Sequence, residues 1–486
     1  MRWQWPAINN RGLRKRSIPR KALDRMIARY SLYNKWREAG FAFWLLTAFL
    51  ILVLFTGGSS RPDEQSLSIL RPAAILVCGV AISTLQWEQV QRHKLLLGGA
   101  LALLIGVSAY VIPFMPVASG ISPEHNLLSE INAAANISPE LRAISLAPTA
   151  TLNALFALFV PLAVLLLSIQ LNKEEKFLLL PVLIILIALS GIWGTLQALA
   201  STADVLYLYQ ITSRGFAVGL FANRNHQAVL LAALLPMLAA IAWVNVKTPE
   251  QAKFRGIAAA AAAIILIPLL LVTGSRAGLA LGLVALVSTA WIYRSPHSLK
   301  SKKQGLKKAR LIYAIGFGGV VALGLITALT SRAEAIRRIF VPDQVDNIRF
   351  QSWRPIADIA SGLVPTGAGP GAFSVIFQIH EPMRLLRGGY LNQAHNDYLD
   401  LYLTAGISGI GLAVIAVIST LYLGWRAFFS RKGDQSRNVV YGKVGAMMLL
   451  LVLLASISDY PLRVPTIACF VTIAMIWVTK ESFRSV

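Results

Sequence analysis

The chain has 486 residues, of which 56% are hydrophobic and only 14% charged, with a mean hydropathy of +0.61; a soluble domain carries about a quarter charged residues, so a water-soluble globular protein is excluded. Its formal charge of +24 would suit nucleic acid only if it lay on one face of a soluble module. The basic residues sit instead in short segments between apolar runs, where they report membrane orientation.

Residues 1–39 form a polar arm with eleven Lys and Arg and no short apolar stretch ending in a small-residue cleavage site. The first apolar run is therefore expected to stay as an anchor. Trp3, Trp5, Arg14, Lys15 and Arg16 suit an interfacial segment drawn to anionic lipid heads. Runs long enough to cross about 30 Å of hydrocarbon follow near 40–57, 68–87, 95–116, 150–170, 177–197, 227–246, 256–273, 277–294, 311–330, 397–424, 440–458 and 464–480. Cys78 and Cys469 each lie inside such a run, far from any histidine or second cysteine, and read as buried free thiols rather than a disulfide or metal pair.

Twelve crossings place both termini on one side. With the arm in the cytoplasm, the inside segments are 1–39, 88–94, 171–176, 247–255, 295–310, 425–439 and the tail 481–486, and all sixteen lysines fall in or beside them, as expected for the cytoplasmic side. The expected architecture is an all-α polytopic membrane protein of about twelve transmembrane helices. It comprises the arm 1–39, a transmembrane domain 40–480 that includes a large external loop 331–396, and the short tail. The stretch from 397 is long enough to include a re-entrant piece.

The outside face carries fourteen cations, every one an arginine, and seven of them lie in the 331–396 loop. A planar guanidinium that keeps its proton presents a fork of donors matched to phosphate oxygens, which points to a phosphate-bearing substrate; for most of the seven, pairing with the loop's own acids is the competing reading. Arg276, in VTGSRAGLALG between two runs, is at or near membrane depth, where an ionised group is costly without a partner; the alternative is snorkelling to the headgroups. Arg349 precedes Trp353 by one helical turn, and a turn with Gly367, Gly369 and Gly371 follows. Those glycines could aim N–H groups at an anion, although a plain turn is the default. His395, in YLNQAHNDYLDLY where the external loop re-enters the membrane, can shuttle a proton near neutral pH as a general base. Asn396 and Asp397 beside it either orient the ring or cap the helix. His226 competes with it, in a turn made polar by Asn223, Arg224 and Asn225, and both turns can face one cavity.

Together these stretches resemble the bacterial O-antigen ligase and polymerase superfamily. His395-Asn396, nine residues, then Gly406-Ile407-Ser408-Gly409 match its H-[NSQ]-x9-G-x-x-G signature. Arg276 matches a Ser-Arg at an outer helix end, Arg349 and Trp353 match an Arg-x3-Trp stretch of the large periplasmic loop, and FANRNHQA is similar to a segment found upstream; the likeness covers about residues 215–415. It implies a GT-C-like membrane glycosyltransferase of the bacterial inner membrane with a periplasmic site. The implied donor is an undecaprenyl-pyrophosphate-linked glycan and the implied acceptor is a glycan or lipid A core, with no metal or other cofactor. In that scheme His395, Arg276 and Arg349 are catalytic, and Asn396, Asn223, Asn225, His226, Arg384 and Arg387 contact substrate. A protein-directed oligosaccharyltransferase is the nearest alternative, and a flippase for lipid-linked sugar is the alternative from another class; the latter should show mid-membrane charges and inverted halves, and neither is apparent.

Overall fold

The computed structural model describes residues 36–113, 115–116, 123–136, 141–200, 204–244, 246, 248–293, 344–386, 389–429 and 436–479. The chain divides after Phe41 into a short N-terminal unit and a main unit, 42–486. Of the first, the described residues 36–41 include a turn closed by Ala39 N–H on the Trp36 carbonyl. Most of the basic arm, the expected run at 311–330, Arg387 and the tail 481–486 lie outside the described residues.

The helices are α1 (Phe41–Thr56), α2 (Leu67–Ser83), α3 (Trp87–Arg92), α4 (Lys94–Ala109), α5 (Pro123–Ala134), α6 (Pro148–Gln170), α7 (Lys173–Leu199), α8 (Arg224–Ile241), α9 (Pro249–Val272), α10 (Arg276–Ile292), α11 (Gln344–Gly362), α12 (Phe373–His380), α13 (Asp397–Phe429), α14 (Arg437–Ala455) and α15 (Pro465–Val478). A two-residue antiparallel pair, Met115–Pro116 with Leu141–Arg142, flanks α5. Among the described residues six helices (α6, α7, α8, α9, α13 and α14) are long and apolar enough to cross a membrane, and α1, α2, α4, α10 and α15 are shorter apolar helices. The protein is therefore a helical membrane protein.

Local chemistry sets the helix starts. Proline occupies the first turn of α6, α9 and α15, where its missing N–H is not needed. Asn172 and Glu175 form a reciprocal capping box on α7, and the Ser275 hydroxyl accepts the Gly278 N–H to cap α10, each satisfying an otherwise orphaned backbone donor.

The helix ends gather into two sets. In one, Tyr209 Oη accepts the Gly58 N–H (2.7 Å), the Gly57 carbonyl accepts Thr466 N–H, Ser456 carbonyl accepts Asp397 N–H, and Tyr110 Oη donates to the Thr366 carbonyl. In the other, Arg437 pairs with Glu174 at 2.6 Å, Trp477 donates to Lys176, and Trp243 donates to Ile292. This is the segregation that alternating crossings produce, and the glycine turn at 367–371 and the turn before α13 lie in the first set.

Helix α8 occupies the centre: every side chain from Asn225 to Ala240 is buried, as expected for a helix apolar on all sides. The long α13 is two helices broken at Gly406, whose backbone is non-helical at φ 55° and ψ −134°; the 23-residue piece after the break is long enough, at 1.5 Å per residue, to cross the hydrocarbon alone. The break receives the glycine turn at residues 367–371. Ala368 and Gly369 N–H donate to the Leu403 and Thr404 carbonyls, and Ile407 N–H donates to the Pro365 carbonyl. A Cβ on Gly367 would stand 2.6 Å from the Ala405 nitrogen and one on Gly371 2.6 Å from the Ala150 carbonyl. These glycines serve close packing, with the Gly367, Ala368 and Gly369 N–H groups all donated to backbone carbonyls, which is the turn reading and not the anion cradle.

Gly406→Ala should therefore destabilise the protein by more than about 1 kcal/mol, because a positive φ is closed to alanine and its Cβ would run into the Pro365 carbonyl. Gly411→Ala, whose Cβ meets nothing within 4 Å, is the matched control and should leave thermal unfolding of the purified protein unchanged or slightly raised.

Candidate active site

The first set of helix ends encloses a cavity of about 220 Å³ lined by Ser59, Ser60, Arg61, Ile211, Thr212, Ser213, Ala222, Asn223, His226, Arg349, Asn392, His395 and Tyr460. Its floor is organised around Asp459, in the turn between α14 and α15. The Asp459 carboxylate is buried and accepts from Asn223 Nδ2 (3.0 Å), Asn225 Nδ2 (2.6 Å) and the Tyr460 N–H (3.0 Å), and its Oδ1 lies 3.2 Å from His395 Nδ1. Burial opposes the Asp459 charge, yet His226, His395 and Arg349 around it hold the carboxyl well below its ordinary range. An ionised carboxylate can only accept, so the hydrogen bond requires the proton on His395 Nδ1 and leaves Nε2 as the basic nitrogen.

Three pieces of local structure build this arrangement. Asn223 is the N-cap of α8, its Oδ1 accepting the Asn225 N–H, which turns both amide NH2 groups to the same carboxylate oxygen. His395 adopts a left-handed backbone, φ 50°, a conformation that costs a non-glycine residue of order 1–3 kcal/mol and here swings the ring back to Asp459. The turn holding Asp459 is clamped to the start of α13: Arg463 Nη2 donates to Asp400 Oδ1 at 2.6 Å, and Ser456 Oγ donates to Asp397 Oδ2 at 2.8 Å. The Tyr460 ring lies between the two histidines, 4.8 Å from His395 and 5.0 Å from His226. Burial and then the Asp459 charge push the Tyr460 hydroxyl up to about 12, so it stays protonated near neutral pH.

The sequence-derived residues distribute unevenly. His395, His226, Asn223 and Arg349 line the cavity, and Asn225 holds Asp459. His226 is 1% exposed and neither ring nitrogen has a hydrogen-bond partner among the described residues; its Nε2 is 3.9 Å from Asp459. Arg276 begins α10 and is not a lining residue. It stands beside α8, where Gly278 packs on Ala228 and Gly274 on Phe216 next to Arg224, so two adjacent helix N-termini each open with an arginine. A cation at a helix N-terminus opposes the helix dipole, and the pair concentrates positive potential at that end of the core. Asn396 is a helix cap: its Oδ1 accepts Tyr398 N–H (3.0 Å) and Leu399 N–H (3.1 Å). Arg384 is exposed in the turn Met383–Leu385, away from the cavity lining, and Arg387 is outside the described residues. Among the described residues no group of three His, Cys, Asp or Glu side chains could hold a metal ion.

Asn396→Ser, which keeps a capping oxygen, should leave stability and activity near wild type, whereas Asn396→Ala should cost about 1 kcal/mol; paired unfolding and activity measurements separate this cap from a substrate contact.

Sequence reasoning missed Asp459, Tyr460 and Asn392. The one signal for Asp459 is an acid in SDYPLR, a short turn between two apolar runs.

The fold and cavity define a helical membrane protein with a buried, arginine-flanked histidine–carboxylate pair at one end of its helix bundle. Residues 261–414 match the family model described as O-antigen ligase, and it is that segment of the chain that is similar to the family. The match takes in Arg276, Arg349, His395 and Asn396, while Asn223, Asn225, His226 and Asp459 lie outside it. No curated protein matches the chain.

Proposed function

We propose that this protein is an inverting, metal-independent glycosyltransferase of the bacterial inner membrane. It would move a glycan from undecaprenyl pyrophosphate to lipid A core, or to another lipid-linked glycan, on the periplasmic side. The observation that carries the reading is His395 Nδ1 on the buried Asp459 carboxylate inside a cavity that Arg349 also lines. The distribution of lysines supports the orientation, with both termini in the cytoplasm, and the family match supports the reaction class.

In this mechanism His395 Nε2 takes the proton from the acceptor hydroxyl as its oxygen attacks the anomeric carbon. The bond from that carbon to the pyrophosphate oxygen breaks with its electron pair, so a single displacement inverts the anomeric centre. Charge grows on the pyrophosphate as it leaves. Arg349 at the cavity and Arg276 at the adjacent helix end would stabilise that charge where it develops, the kind of preorganised interaction that contributes most to such steps. Asp459 fixes the tautomer of His395 and balances the imidazolium formed on proton transfer. His226 would offer its ring nitrogens to a hydroxyl of the bound sugar.

The test is a reconstituted assay in EDTA with purified protein, an undecaprenyl-pyrophosphate glycan and lipid A core. Glycan on the core identifies a ligase, and a ladder of longer lipid-linked glycans identifies a polymerase. Transfer to neither, nor to an acceptor protein, would contradict glycosyl transfer; transfer that requires added metal would contradict the metal-independent mechanism.

A further inference from the structure

Helix α12 and the turn after it expose apolar side chains on the face turned away from the core. Phe373, Ile376, Phe377 and Leu385 are buried in a cluster with Ile356, Ala360 and Leu403. On the other side Val375 is 43% exposed, Ile379 69%, Met383 84% and Leu386 50%. The neighbouring α11 packs on the same cluster and, apart from Phe350, exposes Gln351, Arg354, Asp358 and Ser361, as a helix facing water does. Two helices in one external loop thus present opposite chemistry to their surroundings.

Position says what covers the apolar face. The turn leading into α12 packs Gly371 against Ala150, in the first turn of α6, and Gly367 against the break in α13. Beyond that break α13 exposes Ile407, Ile410, Val414, Ile415 and Ile418, the lipid-facing side of a crossing helix. The apolar face of 375–386 therefore adjoins the outer ends of helices whose exposed sides are apolar. His380 and Arg384, both exposed, stand along it, the arrangement of a segment lying in a bilayer interface with cationic groups toward lipid phosphates.

We propose that residues 373–386 are an interfacial anchor that lies in the outer leaflet with Val375, Ile379, Met383 and Leu386 among the acyl chains, and that Arg384 contacts lipid headgroup phosphate and not the cavity. The anchor ties the external loop to the membrane surface whatever reaction the cavity performs.

Site-directed spin labelling in liposomes of phosphatidylethanolamine and phosphatidylglycerol tests this directly. Cys78 and Cys469 are buried, and labelling of the unmodified protein checks that they stay silent. Labels at Ile379→Cys and Met383→Cys are compared with Ile415→Cys as the lipid reference and Asp358→Cys as the water reference. The anchor predicts greater relaxation by oxygen than by a water-soluble nickel chelate at 379 and 383, with the same sign as at 415 and opposite to 358. The sign found at 358 would overturn it, as would low access to both reagents, which would mean that a second copy or a partner protein covers the face. Either substituted site alone suffices if the other variant fails to fold.

Discussion

Asp459→Asn should lower glycosyl transfer by about 10²–10⁴-fold, the range that general acid–base catalysis contributes, while the protein still reaches the membrane at normal levels. The carboxylate accepts from two asparagine amides, a backbone N–H and the His395 ring. An amide in its place is nearly isosteric, but it has one acceptor and one donor. If its oxygen keeps the bonds to Asn223 and Asn225, its NH2 faces His395 Nδ1 and favours the tautomer with the proton on Nε2, which cannot then act as a base. Asp459→Ala is the poorer test, since removing one partner from a buried charged cluster costs of order 3–5 kcal/mol and endangers folding. The pH dependence has a definite sign. Because the charges of His226, His395 and Arg349 outweigh burial and hold the Asp459 carboxyl below its ordinary range, the stability it contributes is fully present above the ordinary carboxylate range and is lost progressively as pH falls from there through the lowered folded value. Wild type should therefore outlast Asp459→Asn in thermal unfolding throughout the neutral range, with the gap closing only in strong acid.

Arg349→Ala should lower transfer by about 10²–10³-fold, the effect of removing one preorganised donor from a developing oxyanion. Arg349→Lys should recover part of that loss, because it restores the charge without the planar fork that suits a pyrophosphate. Arg276→Ala should behave like Arg349→Ala if the pyrophosphate spans from the cavity to the outer ends of α8 and α10. Arg384→Ala, exposed and away from the cavity lining, should retain near wild-type turnover. Initial rates with membrane-level controls distinguish all four, and an Arg349→Ala rate within a factor of a few of wild type would remove the arginine from the chemistry.

Much of the scaffold is legible in the sequence because a bilayer leaves few options. Backbone groups in hydrocarbon must be paired within a helix, so eleven of the expected runs coincide with apolar helices; the stretch from 397 shows only an excess of length, and the position of its break at Gly406 is set by packing against the 365–369 turn. His395 and the 223–226 turn are visible as polar residues at outer helix ends, where burial makes polarity informative. Asp459 is hidden for a different reason. It is a single acid in a short turn, more than 230 residues from the asparagines it holds, and no local spacing encodes a pairing made only when α8, α13 and α14 pack. Asn396 shows the converse limit: one side chain serves equally as ligand or cap on paper, and the Tyr398 and Leu399 N–H groups take its oxygen.

The central claim is that His395, set by Asp459, removes the proton from the acceptor hydroxyl. Its most direct test is the rate of transfer by purified His395→Ala in liposomes with EDTA and the undecaprenyl-pyrophosphate glycan, set beside wild type and checked for equal donor binding. Donor binding should be retained with transfer lowered by about 10²–10⁴-fold; a rate equal to wild type would contradict the general-base role and return the proton transfer to another group of the cavity.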